Sequence, residues 1–283
     1  MLVSSPYTSF FILLTSDLII SSPACPLSFS VLHSQGKLID QHYYAIASKA
    51  TLLQPRQLPV PAAKFEEKFG LSWEQALAQG KVFNALDACK HLNIDADEID
   101  KAWGPAKKVK FGGGFYCGLV SIPGKEPIYV FNAFFMSMRK KFVLPGTSIH
   151  YYVVEFSPLT TTWGDFRGKV LGPTDPKDAP ADSLRGSILR DWKQLGLDAV
   201  PNVGDNGVHA SASPFEALAE RANWLQADVT KDSFGQLMLK QGISKETIEK
   251  WSVDPQVKGG SLFDALEDMD SDECVAKAVE LNK

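Results

Sequence analysis

Between Asn206 and Trp224 the chain leaves itself little conformational choice. Asn206-Gly-Val-His209 reads as a short strand, Ala210 to Ser213 are all small, and Pro214 opens a helical pattern that runs to about Trp224. Proline has no N–H to lose in the first helical turn, and its fixed φ suits that position. A strand that passes into a helix through alanine and serine demands a mixed fold of sheet and helix. It also sets His209 at the end of the strand, with room beside it for a bulky ligand. Glu216 and Glu220 lie one turn apart on the helix. Either can accept an imidazole N–H and so decide which ring nitrogen stays nucleophilic. The helix start offers backbone N–H groups and a positive dipole end, which suit phosphate oxygens.

At 283 residues the chain is long enough for one elaborated domain or two small ones. A net charge of −4 gives no global field to attract nucleic acid or an anionic membrane, so neither is expected as a partner. Cys25, Cys89, Cys117 and Cys274 form no C-x-x-C pair or zinc spacing and read as reduced, buried thiols; no metal-ligand set is expected. No run is long enough for a spanning helix. The apolar stretch Phe10–Leu14 is preceded by no basic residue and followed by Asp17, unlike a signal peptide, so a cytoplasmic protein is expected.

Phe10–Leu14 and the β-branched, aromatic Ile149–Phe156 read as strands, and 37–50 as helical. The proline-rich 51–66 reads as a linker. Residues 70–110 read as a small helical unit, with caps at Ser72 (Gln75 three residues on) and at Asp95 or Asp97. Tyr116–Val120 and Ile128–Phe131 read as strands about a Pro-Gly turn, and 134–142 as a helix. Gly112-Gly113-Gly114 reads as a tight turn, since no Lys-Ser or Lys-Thr follows to make a phosphate loop. Lys107, Lys108 and Lys110 read as a solvated face, 184–195 as a helix, and 226–283 as two or three short helices that end acidic around Glu267 to Glu273, the acidic tail reading as solvated helix.

Asn206-Gly-Val-His-Ala-Ser-Ala-Ser213 resembles the nucleoside diphosphate kinase signature N-x-x-H-G-S-D-S. Further motifs resemble that family in the same order. Val170-Leu-Gly-Pro-Thr-Asp-Pro176 is similar to its L-G-x-T-N-P loop and Ser183-Leu-Arg-Gly186 to its T-I-R-G. Phe134-Phe135, Pro145-Gly146 and Val153-Val-Glu155 are similar to its F-F, S-G-P and V-x-E stretch, and Gln41-His-Tyr43 to its E-H-Y. The resemblance implies an α+β fold with a ferredoxin-like antiparallel sheet, and transfer of a γ-phosphate between nucleoside tri- and diphosphates through a phosphohistidine at His209. It implies Glu220 as the residue orienting the imidazole. It implies Arg185, Thr174, Asn206 and Tyr43 as contacts to phosphate or ribose, and Phe134 or Phe135 as the ring that stacks on the base. Ser211 and Ser213 fall on the two serines at the helix start. ATP or another triphosphate is the implied substrate, with Mg2+ carried mainly by the nucleotide. Family members assemble as hexamers, so a homo-oligomer is implied, although the insertion is large enough to cover the surfaces used.

On this reading residues 1–36 are an atypical N-terminal segment. Residues 37–225 are the kinase-like domain, interrupted by an insertion at about 44–130, and 226–283 are a helical extension. Four departures stand against the pattern. Thr15 occupies the place of the lysine in the family's I-K-P-D. Gly168, between Arg167 and Lys169, occupies that of a second arginine. Ala210 and Ala212 replace the signature's glycine and aspartate. The segment before His42-Tyr43 is also short for the expected strand, helix and strand. A longer or different native start is the corresponding expectation. The departures leave a second reading of another class, a catalytically weak kinase-like protein that binds nucleotide or serves as a scaffold.

Overall fold

The computed structural model describes residues 8–14, 25–33, 36–112, 114–145 and 148–283, with 8–14, 25–33 and 148 described by their backbone. Thr15 to Asp17, Gly113 and Gly146 therefore lie outside the described residues. Eight strands carry the two larger sheets: β1 (Thr8–Leu14), β2 (Cys25–His33), β3 (Val82–Asn84), β4 (Lys107–Gly112), β5 (Phe115–Val120), β6 (Ile128–Phe131), β7 (Ser148–Phe156) and β8 (Val208–Ala210). The chain divides into two compact units, 34–147 and 1–33 with 148–283.

The unit of 1–33 and 148–283 is mixed α+β, built on a four-stranded sheet in the order β2-β7-β1-β8. Every neighbouring pair is antiparallel, with Phe11 opposite Val153 and Leu13 opposite His209. Helix Pro214–Leu225 lies along β1 and has two apolar sides. Ala217 faces a core that includes Val154, Phe156, Trp163, Ile188 and Val208. Phe215 and Leu218 face a second core made with Met238, Ile248, Trp251, Leu266 and Cys274. The tail is thus not a row of solvated helices. Its helices Ser233–Lys240, Lys245–Trp251, Leu262–Leu266 and Ser271–Leu281 bury their apolar sides against that helix. At about 25 cal/mol per Å² of apolar surface, such burial outweighs the solvation of the tail's charges on the other side.

The unit of 34–147 holds a sheet ordered β3-β6-β5-β4, parallel at β3–β6 and antiparallel elsewhere. All four residues of β6 are buried, as helices on both faces require. Ile128 and Val130 join a core with Ala88, Ile99, Trp103 and Phe135, whereas Tyr129 and Phe131 join another with Phe65, Trp73 and Cys117. Ser72 and Asp95 both close capping boxes, with Gln75 and Glu98. Two expectations need correction. Part of the proline-rich segment is ordered, as a 3-10 turn at Pro55–Gln57 and a helix at Ala62–Phe69. The lysine run is an edge strand, β4, whose alternation with Val109 and Phe111 is masked by three lysines. The boundaries at 34 and 147 take Tyr43, Phe134 and Phe135 into this unit. Cys89 and Cys117 are buried thiols here, as Cys274 is in the other unit.

Candidate active site

His209 sits in the middle of β8, with 26% of its side chain exposed. Its Nε2 lies 2.7 Å from Oε1 of Glu220, which is only 4% exposed. The other oxygen of Glu220 accepts a hydrogen bond from the Ser211 hydroxyl. A strand residue, a four-residue turn and two helical turns bring positions 209 and 220 together, so a buried carboxylate meets a solvent-reaching imidazole. With Glu220 accepting at Nε2, the proton resides there and the lone pair lies on Nδ1.

The turn beneath the histidine is held at every residue. The Ser211 carbonyl accepts from the Trp163 indole N–H at 3.1 Å. The Ala212 N–H donates to Glu216 Oε2 at 3.1 Å, and its carbonyl accepts from the Asp268 N–H at 2.9 Å. Ser213 caps the helix, accepting from the Glu216 N–H at 3.1 Å. Ser211 and Ser213 are fully buried. Their hydroxyls brace the carboxylate of Glu220 and the first turn of the helix. Pro214 has no N–H, and those of Ala212 and Glu216 are taken. Glu216 is half-buried. Desolvation of its carboxyl, then the charge of Glu220, pushes its pKa well above the ordinary value.

Arg185, expected as a phosphate fork, is 9% exposed and gives its two Nη groups to backbone. Nη1 donates to the Gly172 carbonyl at 2.7 Å and Nη2 to the Val208 carbonyl at 3.0 Å. It ties the Leu171-Gly172-Pro173-Thr174 loop to the strand of His209. Its helix, Leu184–Asp191, comes so close to the preceding loop that a Cβ on Gly186 would lie 2.0 Å from the Pro180 carbonyl oxygen. Gly207 meets a different need, a φ of +83° just before β8. Thr174 is exposed, and its carbonyl accepts from Asn206 Nδ2 at 3.1 Å, so these two expected contacts are neighbours.

Arg167 and Lys169, either side of Gly168, are both held by carboxylates. Arg167 binds Glu267 at 2.9 Å and also Asp268; Lys169 binds Asp165 at 2.9 Å. In the unit of 34–147, Phe135 is completely buried and is not a base platform; its neighbours are Tyr43, Ala133 and Met136. Phe134 is half-buried, with Trp103 and Tyr116 against it. Tyr43 is half-buried in the same core. The tail's acidic residues went unrecognised in the sequence. Glu267 and Asp268 hold Arg167, and Asp270 Oδ1 accepts from the Trp163 backbone N–H at 2.7 Å. Nothing local in the sequence signals this, because Trp163 and Asp270 are 107 residues apart.

Among the described residues no helix is long and apolar enough to cross a membrane. No protein-family model matches the chain, and no curated protein matches it. Among solved structures it is similar to an NDP kinase from Pyrobaculum aerophilum, with 16% identity and a TM-score of 0.36, over 77% of this chain and 96% of that one. A likeness so distant carries no argument about chemistry.

Proposed function

We propose that the chain is a nucleoside diphosphate kinase-like phosphotransferase, with His209 as the residue that carries the phosphoryl group. The observation behind this reading is the contact of His209 Nε2 with a buried, serine-braced Glu220. A carboxylate fixed at Nε2 keeps the proton there, stabilises positive charge on the ring as a bond forms at Nδ1, and stops the ring from turning. Nδ1 attacks the γ-phosphorus of a nucleoside triphosphate, the bond to the β–γ bridging oxygen breaks, and the diphosphate leaves. A second diphosphate then attacks the phosphohistidine, and its terminal oxygen takes the phosphoryl group while Nδ1 regains its lone pair.

The sheet order β2-β7-β1-β8, antiparallel throughout, supports a ferredoxin-like core. Magnesium is treated as part of the triphosphate substrate, since Glu216 and Glu220 are committed to Ala212, His209 and Ser211. Thr174 and Asn206, neighbours through the Asn206 Nδ2 bond to the Thr174 carbonyl, are the proposed contacts to phosphate or ribose in this unit.

A second reading, a nucleotide-binding protein of weak activity, is favoured by Arg185, whose guanidinium serves the backbone instead of presenting a fork to solvent. One experiment separates the two. The full chain is incubated with γ-labelled ATP and magnesium, and the label is tested for stability in acid and base. Acid-labile, base-stable label at Nδ1 of His209, located by phosphorus–proton correlation, is the expected result. Absence of label, or label at Nε2, overturns the mechanism.

A further inference from the structure

Three strands of observation converge on the turn between His209 and its helix. The peptide of Ala212 is held from both ends, its N–H by Glu216 Oε2 and its carbonyl by the backbone N–H of Asp268. Asp268 adopts a left-handed conformation at φ +59°, and its side chain and that of Glu267 grip Arg167. Two residues on, Asp270 accepts from the backbone N–H of Trp163, and the Trp163 indole donates to the Ser211 carbonyl. Ser211 in turn donates to Glu220, which holds His209. A continuous chain of hydrogen bonds therefore runs from the tail to the imidazole: Asp270, Trp163, Ser211, Glu220, His209. Trp163 is fully buried, so its indole has no freedom to find another acceptor.

We propose that the tail segment Glu267–Asp270 is a positioning element of the reaction, with Asp270 acting through Trp163 and Ser211 on the angle at which Glu220 holds His209. The alternative use of these contacts, simply fastening the tail, is already met by the apolar core around Met238, Trp251 and Leu266. Fastening requires neither an indole donor aimed at Ser211 nor a second grip on the next residue, Ala212. Phosphoryl transfer depends steeply on alignment, and a displacement of about 1 Å at the attacking atom costs on the order of a hundredfold. Asp270 touches no substrate; its effect is on geometry.

This inference rests on His209 as the phosphate acceptor, and its test is arranged so that the two fail separately. In the full chain, Asp270→Ala removes the acceptor for Trp163, and Asp270→Asn retains an oxygen there. The first readout is the single-turnover rate of His209 labelling at saturating ATP and the nucleotide concentration for half-maximal rate. Asp270→Ala should lose about tenfold in rate with half-saturation within twofold, and Asp270→Asn should recover most of the rate. The second readout needs no activity. The imidazole nitrogen resonances of His209, assigned against His209→Ala, should shift toward a mixture of tautomers in Asp270→Ala and not in Asp270→Asn. Arg167→Gln, which cuts the grip on Glu267 and Asp268, should move both readouts the same way by about threefold. It supplies the answer if Asp270→Ala does not fold. Unchanged rate and unchanged His209 resonances in the folded variants overturn the proposal, whatever the melting temperature does. If wild-type chain takes no label, the function reading fails, and the resonances alone decide the positioning.

Discussion

Asn132 and Glu220 are both buried polar side chains, one in each unit, and they spend their hydrogen bonds differently. Asn132, fully buried, accepts from the Tyr116 N–H and donates to the carbonyls of Ile46 and Gly114, which pins a β-hairpin to a helix. Asp40 in the same unit closes a two-pronged pair with Arg139 at 2.7 and 2.9 Å. These groups are satisfied within the architecture they hold. Glu220 gives one oxygen to a serine and the other to an imidazole that reaches solvent. A carboxylate kept from water against a partly exposed imidazole is the arrangement on which the proposed chemistry draws, whereas one closed on its own partner serves the fold.

The comparison breaks most sharply at His209. On the proposed mechanism His209→Ala should reduce phosphotransfer to background, beyond a thousandfold, while nucleotide affinity stays within about threefold, because that mechanism makes the imidazole the nucleophile and not the main anchor. Retained exchange activity in this variant would sink the mechanism. Next comes Asp40→Ala, which leaves the half-buried Arg139 without its counter-charge. A loss of about 3–5 kcal/mol in urea-unfolding stability is expected, and a loss below 1 kcal/mol would place Asp40 among ordinary surface ions.

Glu220→Gln should be milder than loss of the nucleophile. The amide can keep a contact to the ring but supplies no charge to the developing imidazolium, so about a tenfold to hundredfold slower labelling of His209 is expected, roughly 1.4 kcal/mol per tenfold. If the rate is unchanged, Glu216 becomes the partner to test. The smallest effect concerns Glu216 itself. Its carboxyl titrates higher in the fold than its unfolded value near 4.5, so the folded state binds the proton more tightly. Its contribution is complete below that pH and is lost as pH rises from there through the folded value. Glu216→Gln should flatten that decline and raise stability at alkaline pH, with little change at pH 4. Parallel stability–pH curves for the two proteins would contradict the assignment.

Much of this was legible in the sequence where the cause is local. Spacing across a strand end, a turn and a helix put both Glu216 and Glu220 within reach of His209, and the resemblance chose Glu220, which is the one in contact. The caps at Ser72 and Asp95 are read from residues three apart, and β7 from its β-branched run. What the sequence hid is non-local. Phe135 looks no different from Phe134 on paper, yet only Phe135 is turned fully into a core. Arg185 carries the charge for a phosphate, but two backbone carbonyls, one from the loop at Gly172 and one from β8 at Val208, claim it first. The acidic stretch at Glu267 to Asp270 has the composition of a solvated helix end, and only its return to Arg167 and Trp163 reveals a use.

The close approach at Gly186 gives the site a mechanical sensitivity out of proportion to its size. The helix that begins at Leu184 rests directly on the Pro180 carbonyl, and the next-door Arg185 grips the peptide just before His209. A single methyl group at 186 would act as a wedge, lifting the helix by the better part of an ångström, with the arginine transmitting that lift like a tie-rod to β8. Only glycine fits at 186 without displacing the Pro180 carbonyl, and a Gly186→Ala chain should register the wedge as a displaced His209 before it registers it as an unfolded protein.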